Sequence, residues 1–160
     1  MTRTGTALLV ALVLVGCQTA YQNAYDAETR RLEARRAADE AQAQAEHAEA
    51  SRFAAVVYFQ TGSAELGTDA TRQLDWFVEK MAVYPQATFN VQGFADSTGS
   101  EATNQRLSDQ RAQAVSQYLQ SKGIAQDRMY AAAFSTSSPA ASNATSAGRR
   151  DNRRVEITVR

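Results

Sequence analysis

From Ser100 to Lys122 the chain runs without Gly or Pro and repeats its apolar residues at helical spacing, so the segment predicts a helix that covers something on one face. A helix turns about 100° per residue, which puts Asn104, Ser108 and Arg111 within about 40° of Val115, on the side that also carries Ala112 and Leu119. The inward stripe is therefore apolar in its later turns and polar in its first ones. A helix that merely roofed a sheet would keep that stripe apolar throughout. An amide, a hydroxyl and a guanidinium in those positions require polar partners beneath them, because a buried charge is tolerated only when it is paired or hydrogen-bonded.

The preceding residues bring a candidate partner. Ala87 to Gly93 reads as a strand with Phe89 and Val91 on one side, and it delivers the loop Phe94 to Gly99 to the start of the helix, where Ser100 stands as N-cap and Gly123 ends the far side. Asp96 in that loop can approach Arg111. Two readings stay open: a buried acid–base pair that pins the loop, or a site for a ligand carrying both charges.

The rest of the domain follows from periodicity. Ala55 to Phe59 is a short apolar run that predicts a strand buried on both faces. Leu74, Phe77, Val78, Met81 and Ala82 recur at helical spacing, predicting a helix over 68–83 that Pro85 stops. Met129 to Phe134 predicts a third strand, Ser135 to Arg150 a loop, and the alternation of Val155, Ile157 and Val159 a half-buried final strand. The order βαβα then ββ over 53–160 implies an α/β (α+β) fold: a mixed sheet with helices on one face.

The N-terminal part has another logic. Arg3 precedes an apolar run from Ala7 to Val15, far short of the ~20 residues of a spanning helix, so residues 1–16 read as a signal peptide. Leu14, Val15, Gly16 and Cys17 fit the bacterial lipobox, in which the cysteine is diacylated and becomes the acylated N-terminus after cleavage. Each buried lipid CH₂ contributes about 0.8 kcal/mol, and stable anchorage needs more than one chain. The resemblance to bacterial lipoproteins implies that Gln18 after the cysteine is compatible with export to the outer membrane. From 17 to 52 the chain is a lipidated N-terminus and an Ala-, Glu- and Arg-rich linker. It has no sustained heptad seam, so it predicts an exposed helical spacer reaching roughly 50 Å.

Gly93, Asp96, Gly99, Asn104, Leu107, Ser108, Arg111 and Ala112 stand in the pattern G-H-T-D-x-x-G-x-x-x-x-N-x-x-L-S-x-x-R-A, and Asn152, Arg153, Arg154, Val155, Glu156 and Ile157 form a second match far along the chain. From about Val56 to Val159 the chain thus resembles the OmpA-like peptidoglycan-binding domain family. The resemblance implies a peptidoglycan-binding set of Asp96, Asn104, Leu107, Ser108, Arg111 and Arg154. Its ligand would be the diaminopimelate end of a stem peptide, with Asp96 accepting from the ammonium and Arg111 gripping the carboxylate in a fork. It departs from the pattern at Phe94 and Ala95, where His and Thr are usual; this removes a hydroxyl beside Asp96, and Phe94 reads as a core residue filling the histidine's volume.

With the lipobox, the resemblance implies an outer-membrane lipoprotein, its domain in the periplasm, that tethers membrane to cell wall. The alternative is a Pal-type lipoprotein that also binds a periplasmic or outer-membrane protein partner. Other classes are disfavoured. Lys plus Arg equals Asp plus Glu at 17 each, and the cluster Arg149, Arg150, Arg153 and Arg154 lacks interleaved aromatics, which argues against nucleic acid. Ser108 has no histidine near it, and among Asp96, Glu101 and Asp109 nothing suggests an acid of raised pKa, so no enzyme is expected. One Cys and one His leave no metal site, and no cofactor is expected beyond the lipid on Cys17.

Overall fold

The Ala-, Glu- and Arg-rich stretch forms a helix, α1, over Thr4–Ala50, with nearly every side chain exposed between Thr19 and Glu49, as a segment of good helix formers without an apolar stripe should be. The computed structural model describes the backbone of residues 4–160 and the side chains from Thr19 onward; the side chains of the expected signal segment 1–16 and of Cys17 lie outside the described residues. Among the described residues no helix is long and apolar enough to cross a membrane. The chain divides into two units, the first ending at Ala45 and the second running Glu46–Arg160.

In the second unit, β1 (Ala54–Tyr58), α2 (Thr68–Met81), β2 (Phe89–Gly93) and α3 (Glu101–Ser121) are followed by a 3-10 turn at Gln126–Arg128, then β3 (Met129–Ala133), α4 (Ser146–Asn152) and β4 (Arg154–Val159). The sheet order is β1-β4-β2-β3, with β4 antiparallel to both neighbours and β2 parallel to β3. The parallel pair needs a crossover, and α3 supplies it. Leu74, Phe77 and Met81 of α2 and Ala112, Val115 and Leu119 of α3 pack in one core with Ala55, Val57, Phe89, Val91, Val155 and Ile157. These strand positions alternate, so one face of a mixed sheet is roofed by helices.

Two expectations are corrected. β1 is not buried on both faces: Tyr58 is 52% exposed and Val56 half-buried, because β1 is an edge strand of a sheet with one open face. The segment 135–150 is not all loop. Its end forms α4, capped by Thr145, whose Oγ1 accepts from the Gly148 N–H at 3.0 Å.

One glycine sets the height of α3 over the sheet. A Cβ on Gly93 would collide with the Ser108 carbonyl oxygen, so only glycine lets the end of β2 pass directly beneath the polar turns of α3.

Candidate ligand-binding site

The polar stripe of α3 is buried as its angular placement requires: Asn104, Ser108 and Arg111 all lie on the covered face with Ala112, Val115 and Leu119. What meets Arg111 is backbone. Its guanidinium, wholly buried, donates from Nε to Ser63 O at 2.9 Å, from Nη1 to Phe94 O at 3.0 Å and from Nη2 to Gln60 O at 3.1 Å. It thus stitches the loop after β1 to the loop after β2. It also sits over the Phe59 ring, 5.3 Å from the centroid. A guanidinium has five N–H donors, so one remains on each Nη nitrogen. Burial pushes its pKa down to about 10; nearby Asp96 opposes that shift and Arg153 adds to it, and the group stays cationic at neutral pH.

Asp96 and Arg111 line one pocket, close enough for the Asp96 charge to act on the guanidinium, but no ion pair joins them. The ion-pair partner of Asp96 is Arg153, whose Nη1 lies 2.9 Å from Oδ2. Oδ1 accepts from the Thr98 N–H at 2.8 Å, an Asx-type turn that shapes the loop. Burial alone would raise the Asp96 pKa, but the bonds from Arg153 and Thr98 outweigh it and hold the carboxyl below its ordinary range. Arg153 is itself fixed by an Nε bond to Phe59 O at 3.0 Å.

A second set of bonds holds the same loop from behind. Ser97 N–H donates to Asn143 Oδ1 at 3.2 Å, and that oxygen also accepts from Asn152 Nδ2 at 2.8 Å. Asn152 is fully buried. Its Oδ1 takes the Ala140 and Ala141 N–H groups at 2.8 and 3.0 Å, and its Nδ2 donates to Ala141 O at 2.8 Å.

Asp96, Asn104, Leu107, Arg111 and Arg153 converge on a pocket of about 90 Å³, with Thr61, Gly62, Thr98 and Thr103 completing its wall. That is well below the roughly 300–1,000 Å³ of sites that enclose a small molecule whole, and suits the tip of one side chain of a larger ligand. Asn104 as a residue is only 4% exposed, and its amide makes no hydrogen bond to the protein among the described residues, but its amide atoms are not sealed from solvent. Water can reach the amide at the pocket, and a ligand bound there would take that water's place.

Two of the sequence-derived residues lie outside this pocket. Ser108 Oγ donates to Gln105 O at 2.9 Å and accepts from Ser135 N–H at 3.2 Å, joining α3 to the chain after β3. Arg154 pairs with Glu156 at 2.6 Å and lies 4.0 Å over the ring of Phe94, which stacks on Phe134. Phe94 is accordingly a buried packing residue. Sequence reasoning missed Arg153, together with the fastening roles of Asn143 and Asn152. The signal was there in the Asn152-Arg153-Arg154 match, but nothing local shows which arginine turns toward Asp96. A larger groove of about 710 Å³ runs along β1 and the start of α2. Its charged groups are at the solvent rim, with Arg150, Asp151 and Asp69 side chains 72%, 44% and 95% exposed, so water already satisfies them.

The sequence profile described as the OmpA family matches residues 58–153, a span that contains every wall of the pocket. The chain belongs to the OmpA family. Relatives of this OmpA-family chain include the Peptidoglycan-binding protein ArfA of Mycobacterium tuberculosis, 43% identical over 86 residues, which are 54% of this chain and 26% of ArfA. The Probable lipoprotein YiaD of Escherichia coli is 38% identical over 103 residues, covering 64% of this chain and 47% of YiaD. The chain therefore spans about half or less of the length of these curated relatives. Among solved structures, the peptidoglycan-associated lipoprotein of Burkholderia pseudomallei superposes with a TM-score of 0.63 at 25% identity, covering 66% of this chain and 90% of that one.

Proposed function

We propose that the chain binds the diaminopimelate end of a peptidoglycan stem peptide without chemistry, and that a lipid on Cys17 makes it a tether between the outer membrane and the cell wall. The observation that carries the binding reading is the pocket's set of uncommitted polar groups. The Asn104 amide, which has no protein partner, and Arg111 with its spare N–H donors line the same pocket as an ionised Asp96. An amino-acid terminus bears an ammonium for the carboxylate and a carboxylate for the guanidinium, and its tip fits the small volume. Arg153 holds Asp96 ionised, which leaves it unsuited to act as a general acid. The names of the relatives ArfA and YiaD and of the Burkholderia lipoprotein point the same way.

The test of binding is sedimentation with purified diaminopimelate-type sacculi. The protein should co-sediment, and Asp96→Asn should lose at least about tenfold in affinity, since a charge-assisted bond is lost. Equal retention of the variant would defeat the reading. Anchorage is tested separately by labelling cells with a fatty acid and comparing Cys17→Ser; a label that persists in the variant would remove the lipid from the account.

A further inference from the structure

Arg111 and Arg153 border the pocket together with a single carboxylate, Asp96, and no other ionisable side chain lines it among the described residues. The three groups sit close enough to influence one another, since the Arg111 pKa responds to both Asp96 and Arg153. Asp96 is committed to Arg153, while Arg111 is left with the carbonyls of Gln60, Ser63 and Phe94, which carry only partial charge. One positive charge thus lacks a counter-ion where water can do little for it: the Arg153 and Asp96 side chains are 11% and 6% exposed, and Arg111 is fully covered. Arg153 Nη2 makes no hydrogen bond to the protein, so the more accessible guanidinium keeps a donor edge of its own for a ligand.

We propose that the site requires a carboxylate on the ligand tip and that Arg153, alongside Arg111, is the residue that enforces it. A diaminopimelate end with its side-chain carboxyl free is accepted, and the same end carried as a carboxamide is rejected. The inference rests on the binding reading above and names the ligand form it selects. A zwitterionic end adds no net charge, because its carboxylate offsets its own ammonium, and that carboxylate takes the spare N–H groups of both arginines. A carboxamide end has no such offset, so its ammonium adds a third positive charge to a pocket with one carboxylate. A carboxamide also presents its own N–H₂ donors toward donors, which a buried site penalises strongly.

The experiment titrates the purified protein by calorimetry with L-Ala-γ-D-Glu-meso-diaminopimelate and with the same tripeptide carrying its side-chain carboxyl as the carboxamide. Wild type should prefer the carboxylate by roughly tenfold or more, the size of one charge-assisted contact. Arg153→Gln should shrink that ratio to about threefold or less, a change of selectivity that a purely structural loss would not produce. Arg153→Lys keeps the charge without the fork and should keep the preference while weakening both ligands, which serves if Arg153→Gln does not fold. Equal binding of the two peptides to wild type overturns the charge requirement while leaving the proposed function standing. An undiminished ratio in Arg153→Gln, or a ratio lost in Arg153→Lys, overturns the role of Arg153. Failure of both peptides to bind wild type overturns the inference together with the proposed function.

Discussion

Replacing Arg111 by Ala removes three hydrogen bonds at once and orphans the carbonyls of Ser63 and Phe94, while Gln60 O keeps the Ser63 N–H at 3.2 Å. Phe94 O receives its bond in a fully buried position and, without a donor, costs about 1–3 kcal/mol. Ser63 O is bonded at a partly buried position, where water can enter, and should cost about 1 kcal/mol, whereas Gln60 O retains its backbone donor and loses less. Loss of the contact over Phe59 adds roughly 0.5–1 kcal/mol. Against these stands the relief of no longer burying a cation whose pKa burial already pushes down to about 10. A net loss of about 2–3 kcal/mol follows, a large share of the ~5–15 kcal/mol typical of a domain. Urea unfolding followed by the fluorescence of the single Trp76, which packs edge-on against Phe53, measures it. A variant within about 1 kcal/mol of wild type would refute the stitching role assigned to the guanidinium. Loss of sacculus binding in Arg111→Ala therefore tests the ligand site only when the variant's fold is measured beside it.

Asn104→Leu removes an amide that has no protein partner, so stability should stay within about 0.5 kcal/mol of wild type or rise while sacculus binding falls; unchanged binding would take Asn104 out of the site. Gly93→Ala drives a methyl into the Ser108 carbonyl and should cost about 1–3 kcal/mol, read as a lower melting temperature, and an unaltered melt would contradict the close approach. The Asp96 carboxyl titrates below its ordinary value in the folded state, so its pair with Arg153 contributes stability above about pH 4 that is lost as pH falls through the folded pKa. The melting-temperature gap between wild type and Asp96→Asn should be flat from pH 7 to 5 and close below about pH 4; a gap that widens on acidification would reverse the assigned sign.

The helix stripe was legible because periodicity is a property of neighbouring residues. The angle that put Asn104, Ser108 and Arg111 beside Val115 needed no knowledge of what lies beneath. The partner of Asp96 was not legible, because Arg153 is 57 residues away and competes with an adjacent Arg154 whose side chain leaves the strand start in another direction. Composition favoured a loop over 135–150, since Ser146–Asn152 shows no apolar period and α4 depends on its Thr145 cap and on Asn152 buried against residues 140–143. The apolar run at β1 had the signature of a doubly covered strand, and only the sheet order shows that one of its faces is open.

β1 also has a mechanical meaning. Its first residue, Ala54, follows closely on α1, and its last, Tyr58, leads directly into Gln60, Thr61 and Gly62 at the pocket. Tension between residue 53 and a ligand held in the pocket therefore runs along β1, and the antiparallel bonds from Ala54–Thr158 to Tyr58–Arg154 take it in shear. Bonds loaded in shear must fail together, whereas bonds loaded from the end break singly and in sequence. In the proposed tether, the edge strand would be the element that lets a small, single-sheet domain carry a pull between membrane and wall.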